Sequence, residues 1–306
     1  MEIIYIIIGI LVGIALPLQT SSNSGLRFKV KSPYLAAMIA FIIGTIFLGI
    51  VTLISGQPLG VPMSLIQSQP AWIWIGGVLG LIAGTSNILL FPHLGAIQTV
   101  IMPIVGQIIF SMLVDNFGWF DLPTHPFTFL RLIGIIVLLV GILMIIYQPG
   151  AFKMKKGGQI FWQLFGVASG MSLAAQTAIN GHLGKVLNAP IHASFISFFT
   201  GAIVITIGTL MGRQHPSNIK LAFNRHNHLW IWLGGVLGGL LVLGNLFLSP
   251  LIGTGTTVIL VLLGNIIGSI IINRFGIWNA PKRAVDPHQY IGLIVMVIGV
   301  AAIKLF

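Results

Sequence analysis

The sequence predicts an all-α integral membrane protein with ten transmembrane helices, arranged as two inverted repeats of five helices each. Two observations support this prediction. Of the 306 residues, 56% are hydrophobic and only 6% are charged, whereas about a quarter of the residues of a soluble domain are charged. The second half of the chain also repeats the residue pattern of the first half in register.

The repeat covers residues 1–149 and 158–306, and a basic linker at 150–157 joins the two copies. Residues early in the first copy recur 157 positions later, and residues after one inserted position recur 158 positions later. Such extended register indicates duplication of one structural unit. The recurring residues include Gln19, Asn23, Pro33, Trp72, Asn87 and Gly106, which return as Gln176, Asn180, Pro190, Trp230, Asn245 and Gly264.

Each copy contains five apolar runs long enough to cross a hydrocarbon core of about 30 Å. The first run opens with Met1 and Glu2 and has no preceding basic region, which favours an uncleaved spanning helix over a signal peptide. The predicted spans are 3–22, 34–54, 71–91, 96–114 and 128–148, followed by 160–180, 192–211, 229–249, 254–273 and 288–306.

Basic residues predict the orientation of these helices. Four loops on one side of the membrane each carry three Lys or Arg residues, and the positive-inside rule makes that side cytoplasmic. Ten crossings then leave both termini outside. Because each copy has an odd number of crossings, the second copy enters the membrane from the opposite side, and inverted repeats are typical of transporters. The loops contain Arg27, Lys29 and Lys31; Lys153, Lys155 and Lys156; Arg213, Lys220 and Arg225; and Arg274, Lys282 and Arg283.

Polar residues follow one face of predicted helix four at a spacing of four, and the pattern returns in helix nine. Polar groups within the membrane line a cavity or hydrogen-bond neighbouring helices, and the sequence leaves both interpretations open. Gln107 and Asn265 are expected nearest the midplane, and Pro103 is expected to loosen helix four beside the stripe. The stripe contains Thr99, Pro103, Gln107, Ser111 and Asp115, then Thr257, Val261, Asn265, Ser269 and Asn273.

Amide side chains form a second group of candidate substrate-binding residues. Gln19 and Asn23 share a face of helix one, and their equivalents Gln176 and Asn180 share a face of helix six. Asn87 and Asn245 lie near one end of helices three and eight. Substrate contact and bonding between helices are both open for every one of these amides.

Tryptophans and glycines favour structural interpretations. The tryptophans that open helices three and eight are predicted to form an interfacial belt, with an aromatic cage around a cation as the alternative. Glycines at small-residue spacing predict close helix packing. The residues concerned are Trp72, Trp74, Trp230 and Trp232, and Gly76, Gly80, Gly84, Gly234 and Gly238.

Few titratable residues are candidates for proton coupling, catalysis or metal binding. Asp115, at the end of helix four, is the one candidate for proton or cation coupling, and a hydrated helix end is the alternative. The chain has no cysteine, its histidines fall in or beside loops, and no nucleotide-binding, zinc-protease or hydrolase motif occurs. We therefore expect no enzymatic activity, cofactor or metal site. Positive charge is not gathered on a soluble face, so no nucleic-acid partner is expected.

Several motifs resemble the drug/metabolite transporter superfamily, in particular its YdcZ-type branch. They are Leu94-Gly95-Ala96, Gly106-Gln107 and Asp115-Asn116-Phe117-Gly118, echoed by Gly264-Asn265 and Asn273-Arg274-Phe275-Gly276. The resemblance covers the whole chain and implies a fused two-repeat carrier of the bacterial inner membrane, usually an exporter of small molecules. It implies a pathway lined by helices one to four and six to nine. Asn273 in place of an acid, and external termini, depart from the superfamily pattern.

The sequence thus predicts a secondary transporter for a small polar or weakly cationic organic molecule, working by alternating access. A channel-like pore and a non-transporting membrane scaffold are the alternatives. The expected partners are this small molecule and the lipid bilayer, and the sequence leaves a homodimer open.

Sidedness can be tested directly because the native chain contains no cysteine. Single-cysteine variants Lys29→Cys and Lys155→Cys should resist a membrane-impermeant maleimide applied to intact cells, whereas Asp121→Cys should react. Permeabilised cells supply the control, since all three cysteines should then react. Labelling of Lys155→Cys in intact cells would refute the orientation.

Overall fold

A computed structural model describes residues 2–146, 159–212, 216–224, 227–279 and 287–305. This part of the chain is helical and contains no β-strand. The predicted linker at 150–157 lies outside the described residues. The α-helices are α1 Glu2–Val30, α2 Pro33–Ile54, α3 Met63–Ser68, α4 Gly76–Phe117, α5 Phe129–Ile146, α6 Gln159–Val186, α7 Pro190–Met211, α8 Leu233–Ile252, α9 Thr254–Phe275 and α10 Pro287–Leu305.

Local sequence determines several helix ends. Pro33 and Pro190 are the first residues of α2 and α7, positions where a missing N–H costs no helical hydrogen bond. Ser32 caps α2, because its Oγ accepts a hydrogen bond from Leu35 N at 3.3 Å. At the other end of a helix, Gly118 adopts a left-handed φ of 61° and ends α4.

Length and composition fit a membrane protein with several crossings. Six segments are long and apolar enough to span a bilayer, and three further apolar helices are shorter. The six segments are Ile3–Val30, Pro33–Ile54, Gln98–Phe117, Pro190–Met211, Leu229–Ile252 and Thr254–Phe275. The shorter ones are Gly76–Ser86, Phe129–Ile145 and Pro287–Ile303.

Predicted helices three and four are joined in the structure as one helical element, α4, of 42 residues. The sequence predicts a break between residues 91 and 96, and helical backbone continues through it. The equivalent junction in the second copy does break, at Gly253, where φ is +86°. This conformation is open to glycine, and it separates α8 from α9.

The chain nevertheless reverses direction within α4. Gly76 near its start and Val114 near its end both lie against one end of α6, at Asn180 and Ala178 respectively. Because a straight α-helix rises about 1.5 Å per residue, these two positions would otherwise lie more than about 50 Å apart. Two antiparallel legs, 76–90 and 98–117, therefore pack along α6.

Equivalent helices of the two copies run antiparallel to each other. In α2 and α7, Gly44 lies against Phe198, whereas Gly49, further along α2, lies against the earlier residue Phe195. Helices α5 and α10 show the same reversal. Gly134 lies against Gly299 and Ile303, whereas Gly141 lies against Gly292 and Met296.

The first helix of each copy packs against the other copy. Helix α1 runs antiparallel to α8, with Gly9 near Leu248 and Gly25 against Trp230. Helix α6 has the equivalent position along the first leg of α4. An apolar core made by α4, α5, α8, α9 and α10 completes the packing, and it includes Ile108, Leu138, Leu262 and Met296. The two copies are thus interlocked rather than placed side by side.

Close backbone packing predicts which glycines tolerate a side chain. A Cβ on Gly77 would collide with the carbonyl oxygen of Ser197 and would lie 2.6 Å from Thr200 Oγ1. We expect Gly77→Ala to destabilise the protein by about 1–3 kcal/mol, because the neighbouring backbone must move. Thermal unfolding in detergent measures this effect.

Gly84→Ala, on the same leg of α4, is the matched control, since nothing lies within 4 Å of its Cβ position. Alanine favours a helix over glycine by about 0.5–1 kcal/mol, so this variant should be neutral or slightly stabilised. Equal losses in both variants would contradict the packing described above.

Candidate functional site

We call the interface between the two copies the seam. Two asparagines hold symmetric positions in it. Asn23 of α1 lies against Gly234 of α8, and Asn180 of α6 lies against Gly76 of α4. In each pair the amide oxygen points at the position where a glycine Cβ would be, and it has no conventional hydrogen-bond donor in the described part of the chain. A carbonyl oxygen this close to glycine Cα accepts a weak C–H hydrogen bond.

The glutamines one turn away repeat this arrangement. Gln19 lies against Gly238, and Gln176 lies against Gly80. Glycine is needed at all four facing positions because a larger residue would displace the amide. The amide pairs therefore fill the seam between the copies. Their contact with a substrate stays a prediction.

The second copy adds one hydrogen bond that the first copy lacks. Asn180 Nδ2 donates to Ser197 Oγ of α7 at 3.0 Å, and both residues are buried. The position equivalent to Ser197 in the first copy is Ala40, which cannot accept a hydrogen bond through its side chain. The two asparagine sites thus share a fold but differ in polarity.

The polar stripes of α4 and α9 divide into two groups. Ser111 Oγ donates to Ile108 O at 3.0 Å, and Thr257 Oγ1 donates to Gly253 O at 2.8 Å, so these hydroxyls are used within their own helices. By contrast, Gln107 and Asn265 are only half-buried, and neither side chain bonds to a described residue.

The other predicted residues differ in how far their side chains are buried. Thr99 is buried, whereas Ser269 and Asn245 are half-buried. The Asn245 oxygen has no partner among the described residues. The side chain of Asn87 lies outside the described residues. Pro103 is buried, and its carbonyl oxygen faces Gly170 of α6, so the residue predicted to loosen helix four packs on the opposite copy.

Asp115 is completely buried, with 0% of its surface exposed. The interpretation as a hydrated helix end is therefore wrong. Its Oδ1 accepts a hydrogen bond from Thr254 N and its Oδ2 accepts one from Gly255 N, both at 2.8 Å. These are the first residues of α9, where free N–H groups and the helix dipole favour an anion. The carboxylate of one copy thus caps a helix of the other copy.

The predicted belt tryptophans also make aromatic contacts inside the protein, which a position at the membrane interface does not require. Trp72 lies beside Phe120 and His182, with ring centroids 5.2 and 5.0 Å away. At the equivalent place, Trp230 stacks on Trp278 at 5.5 Å. Both Phe120 and Trp278 have positive φ, 62° and 53°, which costs a non-glycine residue about 1–2 kcal/mol. Sequence patterns missed these pairs because loops bring the second ring into place.

Two cavities open on the surface of the described structure. One of about 470 Å³ is lined by apolar residues of α7 and α8, including Ile191 and Phe247. The other, of about 330 Å³, lies beside Asn224 and Trp232. None of the predicted substrate-binding residues lines either cavity. Among the described residues, no cluster of three or more His, Asp or Glu could hold a metal ion.

The sequence matches a known family along nearly its entire length. Residues 4–144 and 161–302 each match the DMT_YdcZ family, whose description reads "Putative inner membrane exporter, YdcZ". The chain belongs to this family and carries its unit twice, so it is a fused two-repeat member of the drug/metabolite transporter superfamily. It is a multi-pass membrane protein of an exporter family.

Solved structures support the fold. Among 23 similar chains, one crystal structure superposes with a TM-score of 0.68 over 99% of this chain and 96% of its own length, at 15% sequence identity. Such low identity shows a shared fold alone. Comparison with curated proteins gives no significant match.

The Asn180–Ser197 hydrogen bond can be tested with matched serine variants. Ser197→Ala leaves Asn180 Nδ2 buried without its acceptor, which should destabilise the protein by about 1–3 kcal/mol. Ser194→Ala, one turn away, is the control, because Ser194 Oγ donates to Pro190 O of its own helix at 3.0 Å. Thermal unfolding should show the larger loss for Ser197→Ala, and a larger loss for Ser194→Ala would contradict the assignment.

Proposed function

We propose that the protein is a secondary carrier that moves a small polar or weakly cationic organic molecule across the bacterial inner membrane by alternating access. The chain would cross the membrane ten times, with the legs of α4 as two crossings, basic loops in the cytoplasm and both termini outside. The substrate would bind between the two copies near Gln107 and Asn265.

The antiparallel relation of equivalent helices carries this proposal. When two copies of one unit are inverted, exchanging their conformations converts a site open to one side into a site open to the other. The pairs α2 with α7 and α5 with α10 have this relation. Membership of an exporter family supports transport as the outcome of such an exchange.

Side-chain chemistry at the proposed site supports the proposed substrate class. Gln107 and Asn265 occupy equivalent positions, and each amide offers two N–H donors and one carbonyl acceptor. Both are half-buried and uncommitted to described neighbours. The buried acid nearest along the chain, Asp115, already binds two backbone N–H groups. A neutral polar or weakly cationic molecule suits such a site better than a strongly charged one.

Transport by purified protein in vesicles tests the proposal. A thermal-stabilisation screen of small amines, amino acids and polyols first identifies a ligand, because binding to the folded state raises the unfolding temperature. Gln107→Ala and Asn265→Ala should then each reduce saturable flux of that ligand by about tenfold or more, since each removes hydrogen bonds to it. Ile109→Ala, two residues away on α4 and 44% exposed, should retain flux.

Three outcomes would contradict the proposal. Flux that does not saturate, together with conductance steps in a planar bilayer, would indicate a channel. Loss of stability without loss of flux in Gln107→Ala and Asn265→Ala would move the site elsewhere. Absence of flux for every stabilising ligand under proton and sodium gradients would indicate a scaffold.

A further inference from the structure

The two ends of the seam between the copies differ in their ionised side chains. We define the Asp115 end by Asp115, Arg131, Thr254 and Ile303, and the Asn273 end by the equivalent side chains Asn273 and Gln289 together with Ile145. The repeat pairs Asp115 with Asn273, and Arg131 with Gln289, each 158 positions apart. One end therefore carries a carboxylate and a guanidinium where the other end carries two amides.

Arg131 and Gln289 make the same contact across the seam. Arg131 Nε donates to Ile303 O at 3.4 Å, and Gln289 Nε2 donates to Ile145 O at 3.3 Å. Each bond joins α5 to α10 between equivalent positions. Arg131 Nη1 also donates to His125 O at 2.8 Å, which fixes the loop after α4.

Asp115 strengthens its end in a way that Asn273 cannot reproduce. The carboxylate accepts two backbone N–H groups from α9 of the other copy, and hydrogen bonds to an ionised acceptor are roughly twice as strong as neutral ones. Arg131 is joined to Asp115 through His125, whose O accepts from Arg131 Nη1 and whose N donates to Asp115 O, both at 2.8 Å. A carboxamide offers a single acceptor oxygen and no charge.

Burial differs between the ends in the same direction. Asp115 and Ser111, one turn further into the membrane, are both fully buried. Their equivalents Asn273 and Ser269 are only partly buried. The end with the charged contacts is thus the more tightly closed end in this structure.

We propose that Asp115 and Arg131 form a latch that holds the Asp115 end of the seam closed and biases the carrier toward the state open at the Asn273 end. With basic loops in the cytoplasm, this resting state faces inward, as an exporter requires for loading from the cytoplasm. The latch rests on the proposed alternating access. Asp115 and Arg131 act as positioning residues that set the balance between the two states.

The test measures accessibility in the absence of substrate. Ser111→Cys and Ser269→Cys place equivalent reporters one turn inside the two ends, in a chain without native cysteine. An impermeant maleimide is applied outside intact cells for Ser111→Cys and to inside-out vesicles for Ser269→Cys. With the latch intact, Ser111→Cys should react at least about tenfold more slowly than Ser269→Cys, since a shift of that size needs only a modest difference in stability.

Neutralising the latch should remove this difference. Asp115→Asn should raise the labelling rate of Ser111→Cys about threefold and lower that of Ser269→Cys, because opening one end closes the other. Arg131→Gln, which copies Gln289, should have a smaller effect in the same direction. The double variant should label at similar rates from both sides. Asp121→Asn is the charge-matched control. The Asp121 side chain is 84% exposed and lies 3.6 Å from His182 Nδ1, a contact that the amide oxygen of asparagine can keep, so both rates should stay unchanged.

Several results would overturn the latch. The latch is overturned if Ser111→Cys reacts as fast as Ser269→Cys with no further substitution. This comparison holds even if Asp115→Asn fails to fold. Equal increases at both reporters in Asp115→Asn would indicate general loosening, and unchanged rates would show that the carboxylate has no such role. The proposed function is tested by a different result. If no flux is measured but Asp115→Asn shifts the labelling rates as expected, transport is rejected and the conformational switch is retained.

Discussion

Close backbone contact between the two copies is the constraint on which the rest of the structure depends. Inside a bilayer, the lipid tails are as apolar as the helices, so helix association relies on packing and polar contacts rather than on the hydrophobic effect. Here glycine meets backbone at the contact points. Gly106 lies against Val167 O, Gly264 lies against Ile10 O, and Gly170 lies against Pro103 O. Each contact joins one copy to the other, so neither copy completes its own packing.

On this symmetric framework, a few substitutions make the halves unequal. Two identical inverted units would give an inward-facing and an outward-facing state of equal internal energy, and only the different surroundings would bias them. The differences between the copies include two polar contacts at the seam, Ser197 against Ala40 and Asp115 against Asn273. The glycines at the closest backbone contacts, such as Gly77 and Gly106, recur as Gly235 and Gly264. Polar contacts can therefore adjust the balance between states without changing the framework that permits both.

Much of the fold could be predicted from the sequence because the repeat register reports symmetry directly. The helical class, the glycine packing and the placement of amides on shared helix faces follow from periodicity and composition. The join between predicted helices three and four could not be predicted, since Gly95 and Gly253 are the same residue at equivalent positions. Gly253 divides two separate helices, whereas the chain turns within α4. The exact number of crossings depends on how that join sits in the membrane.

The candidate site was harder to predict than the fold for a physical reason. The partners of Asp115 are backbone N–H groups 139 and 140 residues away. A backbone hydrogen bond does not require a particular residue type, so the sequence does not show it. The second ring of each aromatic pair likewise lies in a loop whose left-handed backbone a residue pattern does not reveal.

Glycine packing also determines where the two open amides lie. Gly106 and Gly264 fix α4 and α9 against the opposite copy, and Gln107 and Asn265 are the very next residues. Because successive residues of an α-helix are rotated by about 100°, the amide is turned away from the contact and comes to lie beside it. That position explains why both amides are half-buried and unbonded among the described residues. A conformational exchange at the seam would act beside these two side chains, so the contact that holds the copies together also places the proposed binding groups next to it.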